Sequence, residues 1–204
     1  MDGDLFAPAP ASGLDELREE VLHCTRCPLY QTRTQVVFDG GNPSARIFII
    51  GEAPGYDEDK SGKVFVGKSG QLLDKIFAAC NFTREQHIYI SNILKCRPPG
   101  NRTPATEEMA ACLPYLEQQI SLVDPAIIIT LGATALKALL GNNMKITRER
   151  GQWKLYANRL LMPTYHPSAL LRNPNLKKDT WEDFKKVIVK YRELVDPGHY
   201  CKYI

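Results

Sequence analysis

No stretch of this sequence is apolar for long enough to cross a bilayer, and its N-terminus lacks the basic-then-apolar order of a secretory leader. A soluble, cytoplasmic protein with no membrane partner is therefore expected. Internal repeats, an obvious domain linker and the glycine-rich fingerprint of a flavin or nicotinamide enzyme are missing too. Strong net charge is also absent: +3 over 204 residues is too mild to announce a nucleic-acid partner by itself. The charge is unevenly spread, however. Lys145 to Lys190 holds 11 Lys/Arg against 4 Asp/Glu, so this stretch carries +7 and the remainder −4. Such a stretch is either a solvated basic face or a surface that meets phosphates. Six cysteines would suggest disulfides in a secreted chain. In a reducing compartment, a Cys-x-x-Cys pair with distant cysteines points instead to metal or redox chemistry.

The length suits one α/β domain with an ample core. Residues 1–13, rich in Ala and Pro, read as a loose tail, 14–196 as a single domain and 197–204 as a C-terminal tail. Arg46 to Ile50 is β-branched or aromatic in the manner of a strand buried on both faces, and it breaks at Gly51 into a Gly/Pro turn. Strands are expected again at 87–91, 126–131 and, as a hairpin around Asn158, at 152–157 and 160–164. An extended segment is expected over 31–38. Helical apolar spacing marks 14–23, 70–80, 132–140 and a final helix capped by Asp179, and Thr106 reads as the cap of a helix to about Leu122. Strand and helix alternate. The expected fold is a three-layer α/β/α sandwich around a central, mostly parallel four-stranded sheet.

In such sheets ligands bind beyond the carboxyl ends of the strands. Four features fall there: the Glu52/Glu58 turn, Asn92, Gly132 and His166. Singly each is ordinary, and Phe65, between Val64 and Val66, would by default be core. Their convergence on one edge is what suggests a site.

GEAPGYDED at 51–59, FVG at 65–67, the strand end at Asn92, HPSALLR at 166–172 and four separated cysteines resemble the family 4 uracil-DNA glycosylases. The resemblance spans roughly 14 to 194 and keeps the motifs in order. It implies a repair enzyme that flips uracil out of DNA, hydrolyses its N-glycosidic bond and leaves an abasic site. By that resemblance Phe65 stacks on the base and Asn92 reads its O4 and N3–H, a pattern that cytosine reverses. His166 faces O2 of the leaving anion as a neutral donor. Backbone N–H groups of the 51–55 turn, notably Ala53, line the base, and Tyr56 is the candidate for excluding thymine at C5. Where the best-known members of the superfamily carry an Asp, this chain has Ala53, as family 4 does. Glu58, with Glu52 as supporting or alternative carboxylate, is left to position water. Leu170 or Leu171 is expected to wedge into the gap left by the extruded nucleotide. Arg172, Ser168, Lys63, Lys68 and Ser69 are candidates for phosphate.

Cys24 and Cys27 are followed by Cys96 after 68 residues and Cys112 after 15 more. Four thiolates suit an iron–sulfur cluster or zinc equally well. The resemblance implies a structural [4Fe–4S] cluster, with zinc as runner-up. Cys80 reads as core and Cys201 as unligated. Uracil-containing DNA is the implied partner, a monomer the default state, and repair or replication partners are unspecified. Two rivals differ in kind. A non-turnover, crosslinking relative would carry Gln at Ala53 and a basic insertion before the motif histidine, yet Thr164-Tyr165 runs straight into His166. An iron–sulfur interaction domain of a replication assembly would have no use for Glu58, Asn92 and His166 together.

Overall fold

The computed structural model describes residues 13–204, so the expected N-terminal tail lies, but for Gly13, outside the described residues. Helix α1 (Leu14–Leu22) leads through a 3-10 turn to β1 (Gly40–Gly41) and β2 (Ile47–Gly51). Helices α2 (Tyr56–Ser61) and α3 (Lys68–Ala79) precede β3 (Ile88–Asn92), and α4 (Thr106–Val123) precedes β4 (Ile127–Leu131). The chain closes with α5 (Gly132–Leu140), α6 (Ile146–Glu149), β5 (Lys154–Tyr156), β6 (Arg159–Thr164), α7 (Pro167–Arg172) and α8 (Leu176–Leu194).

The six strands form one sheet in the order β1-β3-β2-β4-β6-β5. The four expected strands are its parallel centre, β3-β2-β4-β6. Short antiparallel strands β1 and β5 flank it. Alternation along β2 explains the layers. Ile47 and Ile49 pack with Leu73 and Phe77 of α3 and Phe184, Val187 and Ile188 of α8. Phe48 and Ile50 pack on the other face with Leu116 and Ile120 of α4 and Ala135 of α5. Burying each such side chain contributes roughly 1.5–3 kcal/mol. None of the described helices is long and apolar enough to cross a membrane.

Local chemistry moved several boundaries. Residues 31–38 form a turn and irregular backbone in place of an extended segment. Thr106 is the first residue of α4 and not its cap; Glu108 Oε2 accepts from Ala105 N–H at 2.8 Å instead. Arg102 holds that carboxylate by both oxygens, at 2.6 and 2.9 Å. Asp179 lies inside α8, which begins at Leu176. Residues 197–204 fold back on the domain: His199 stacks on Phe82 at 4.5 Å and bonds Cys80 O at 2.9 Å. Cys80 and Cys201 are both buried in the core. Much of the basic stretch is taken up in ion pairs, Arg150 with Asp183, Lys154 with Glu149 and Arg159 with Asp124 among them.

Candidate active site and cysteine cavity

A cavity of about 490 Å³ opens beyond the carboxyl ends of the parallel strands. Phe65, Asn92 and His166, distant in sequence, all line it, together with Glu52, Ala53, Glu58, Ser69, Ser168 and Arg172. Its floor depends on Gly51. A Cβ there would stand 2.3 Å from Asn92 Oδ1 and 2.6 Å from Phe65 Cζ, so only glycine lets the amide and the ring come together.

Asn92 ends β3 and is 1% exposed. Its Oδ1 is buried with no hydrogen-bond partner among the described residues. Leaving a buried acceptor unpaired costs about 1–3 kcal/mol, which a ligand N–H would recover. The backbone behind it is held: Lys95 Nζ, itself fully buried, donates to Asn92 O at 2.6 Å and Ser91 Oγ at 2.7 Å. Burial lowers the Lys95 ammonium to about 8.

Phe65 sits at φ +52°, in the left-handed region, and must be restrained there. Arg84 does so from one side, donating to Val64 O at 3.0 Å and Phe65 O at 2.7 Å while paired to Asp74 at 2.7 Å. Glu58 does so from the other side, accepting from Val66 and Gly67 N–H at 2.9 Å each through Oε1. Its Oε2 accepts from Gly55 N–H at 3.1 Å. Glu58 is thus occupied by three backbone donors that fix the 51–55 turn against the 65–67 loop. Glu52 is held differently: Thr134 Oγ1, in the first turn of α5, donates to its Oε2 at 2.5 Å. Glu52, Ala53 and His166 separate the main cavity from a second one of about 320 Å³, whose far wall is Gly132, Ala133 and Thr134.

The His166 ring lies 5.9 Å from that of Phe65, tilted by 34°. Its Nδ1 accepts from Ser168 N–H at 3.1 Å and lies 2.9 Å from Ser168 Oγ. An accepting Nδ1 places the proton of the neutral ring on Nε2. Desolvation, with help from the Arg172 charge, lowers the imidazole from 6.5 to about 4, so it is uncharged at neutral pH.

Not every expected residue reaches the site. Tyr56, expected beside C5 of the base, is outside the cavity lining and 57% exposed. Of the two wedge candidates, Leu170 is 1% exposed and Leu171 46% exposed. Lys63 and Lys68 are exposed beside the Phe65 loop but do not line the cavity, while Ser69 does. Arg84, Lys95 and Thr134 were not anticipated. Only Thr134 had a signal, its place just after Gly132 at a strand end.

Cys24, Cys27, Cys96 and Cys112 line a single cavity between α1, α4 and the loop after β3. Cys80 and Cys201 do not line it. The walls are largely apolar, with Val21 and Tyr115 among them. Burial pushes the Cys27 and Cys96 thiols up, and Cys112 to about 11. Arg33 Nη1 donates to Cys96 Sγ at 3.2 Å and to Cys24 O at 2.9 Å, setting a cation against the sulfurs. Among the described residues no three His, Cys, Asp or Glu are close enough to grip one metal ion. Zinc, with bonds of about 2.3 Å to sulfur, needs its thiolates within roughly 4 Å of each other. The four thiols share one cavity, and their soft donors suit an iron–sulfur cluster or zinc.

A family model described as the uracil DNA glycosylase superfamily matches residues 38–185. A type-4 uracil-DNA glycosylase of Sulfurisphaera tokodaii is 43% identical over 196 residues, covering 92% of this chain and 87% of that protein. One from Thermotoga maritima is 44% identical, covering 85% of this chain and 92% of that protein. One from Saccharolobus solfataricus is 43% identical, covering 85% and 84%.

Proposed function

The chain belongs to the uracil DNA glycosylase superfamily, and from that premise we propose how its own residues remove uracil from DNA. It is a DNA-repair hydrolase of N-glycosyl bonds, releasing uracil and leaving an abasic site. The glycosidic carbon of a stacked nucleotide is out of reach, so the base turns out of the helix into the 490 Å³ cavity. There the Phe65 ring offers a flat face, and the Asn92 amide meets the base edge. Oδ1 accepts from N3–H and the amide N–H₂ donates to O4. Cytosine presents an acceptor and a donor in the opposite places, which would leave both amide groups unpaired in a buried site.

Bond breaking leaves positive charge on the sugar and negative charge on uracil O2. His166 Nε2–H donates to that oxygen. Because the neutral ring is the donor, no proton need be acquired first, and the bond strengthens as charge develops. Glu52 orients the attacking water and stabilises the cationic sugar; Thr134 fixes which carboxylate oxygen faces the cavity. Glu58 is the brace that keeps Phe65 and the turn in register. Leu171 fills the vacated stack, and Ser168 and Arg172 hold flanking phosphate. A [4Fe–4S] cluster held by Cys24, Cys27, Cys96 and Cys112 would supply a covalent cross-link between α1, α4 and the loop after Asn92. Its role is structural.

The observation that carries this reading is the buried Asn92 Oδ1 without a partner in the floor of the cavity. The test is incubation with a uracil-containing oligonucleotide followed by alkaline cleavage at abasic sites. Strand scission at the uracil position alone, and none with Asn92→Ala, is expected. Equal scission by the variant would remove Asn92 from recognition.

A further inference from the structure

We propose that Tyr56 and Arg97 form a stacking platform at the cavity mouth that takes the base next to the flipped uracil when that base is unpaired. The inference rests on the glycosylase reading and adds to it a subsite for the neighbouring base. Tyr56 opens α2 directly after Gly55, and Arg97 directly precedes Pro98; Gly55 and Pro98 both line the cavity. The pair therefore stands on its rim.

A tyrosine that is 57% exposed at this place is not there for the core. The Arg97 guanidinium lies over its ring at 5.1 Å, and Arg97 Nε is fixed by Asn101 Oδ1 at 2.6 Å. One face of the ring is thus covered by a held cation, and the residue remains open to solvent elsewhere. Phenol and guanidinium both present flat faces on which any nucleobase stacks, without regard to sequence. Two further guanidiniums line the cavity, Arg172 and the Glu108-paired Arg102.

The chemistry of the occupant follows from stacking itself. In a duplex the base beside the flipped uracil stays paired and stacked on its outer neighbour, and the Leu171 wedge fills the gap on its other face. In a single strand that face is open to Tyr56. A phosphate, by contrast, would engage Arg97 and ignore the phenol ring.

The test compares kcat/KM of the full chain, Tyr56→Ala and Tyr56→Phe. The substrates are one uracil oligonucleotide as a single strand, the same strand in a duplex, and single strands lacking the base 5′ or 3′ to uracil. One stacked base is worth about 5- to 100-fold, so Tyr56→Ala should lose that much on the single strand and at least five times less on the duplex. Tyr56→Phe should keep the wild-type value. Removing one particular flanking base should reproduce the loss in wild type and add nothing to Tyr56→Ala. Equal losses on both forms of DNA, or losses that add, would overturn the platform while leaving the glycosylase reading standing. No uracil release from any substrate by wild type would sink both.

Discussion

Thr134 and Glu52, 82 residues apart, are joined by a hydrogen bond of 2.5 Å between the first turn of α5 and the turn after β2. The bond fixes one oxygen of a carboxylate whose residue lines the cavity. Hydrogen bonds to charged groups contribute about 1.5–3 kcal/mol, so Thr134→Val should lower kcat by roughly 10- to 100-fold. KM should hardly move, because the carboxylate acts on water and sugar and not on the base. Thr134→Ser keeps the hydroxyl and should restore most of kcat. A variant that loses binding while turning over normally would make the bond a matter of folding.

Glu58 predicts the opposite behaviour. Its two oxygens satisfy Gly55, Val66 and Gly67 N–H, so Glu58→Ala strands three backbone donors at once. Denaturant unfolding should show a loss of about 2–4 kcal/mol, with activity falling because Phe65 is no longer held. A folded, undiminished stability with kcat alone abolished would return the water-positioning role to Glu58.

These two residues also mark where the sequence stops being legible. Asn92 and His166 could be placed together because they stand at ends of parallel strands, which share one rim, and the four cysteines because they form a spaced set; Phe65 read as core by default and came to the site only through the family resemblance. The 56–61 segment has no apolar periodicity, so α2 was invisible, and with it the rotation that turns Tyr56 outward and Glu58 inward. Leu170 and Leu171 are adjacent and chemically equal. Only the phase of α7 against the core says which is buried. Arg84 gave no local hint, since its targets are backbone carbonyls about twenty residues away.

His166 leads to a prediction in pH. Its value falls from 6.5 to about 4 because the ring is desolvated and Arg172 repels a second charge. Between those two values the unfolded chain binds the extra proton. The stability tied to His166 is therefore complete above pH 6.5 and lost as pH falls toward about 4. The pH–rate profile should likewise show no histidine limb near neutrality, and NMR titration of the imidazole should place its midpoint well below the ordinary value. A limb at pH 6–7 that vanishes in His166→Gln would mean the ring is charged and solvated in the resting enzyme.

Gly51 lets Asn92 and Phe65 approach one another at the cavity. Gly51→Ala drives a methyl into Asn92 Oδ1 and the Phe65 ring at once. Overpacking of this kind costs about 1–3 kcal/mol in stability. The larger effect should be on recognition, with kcat/KM for uracil-DNA falling roughly 100-fold as the amide and ring separate. An active Gly51→Ala enzyme with wild-type KM would show that the two groups need not meet over that residue.

Arg33 separates the two metal readings of the cysteine cavity. With a [4Fe–4S] cluster bound, purified protein is coloured and contains iron, and Cys112→Ala should lose colour, iron and solubility together. Arg33→Met should keep the ligands but remove the donor to Cys96 Sγ and a compensating charge. Hydrogen bonds and charge near the sulfurs raise a cluster's reduction potential, so the variant should bleach faster in air and show a more negative midpoint by voltammetry. Colourless wild-type protein carrying stoichiometric zinc would refute the cluster. An Arg33→Met protein with unchanged midpoint and unchanged colour would leave the guanidinium as packing alone.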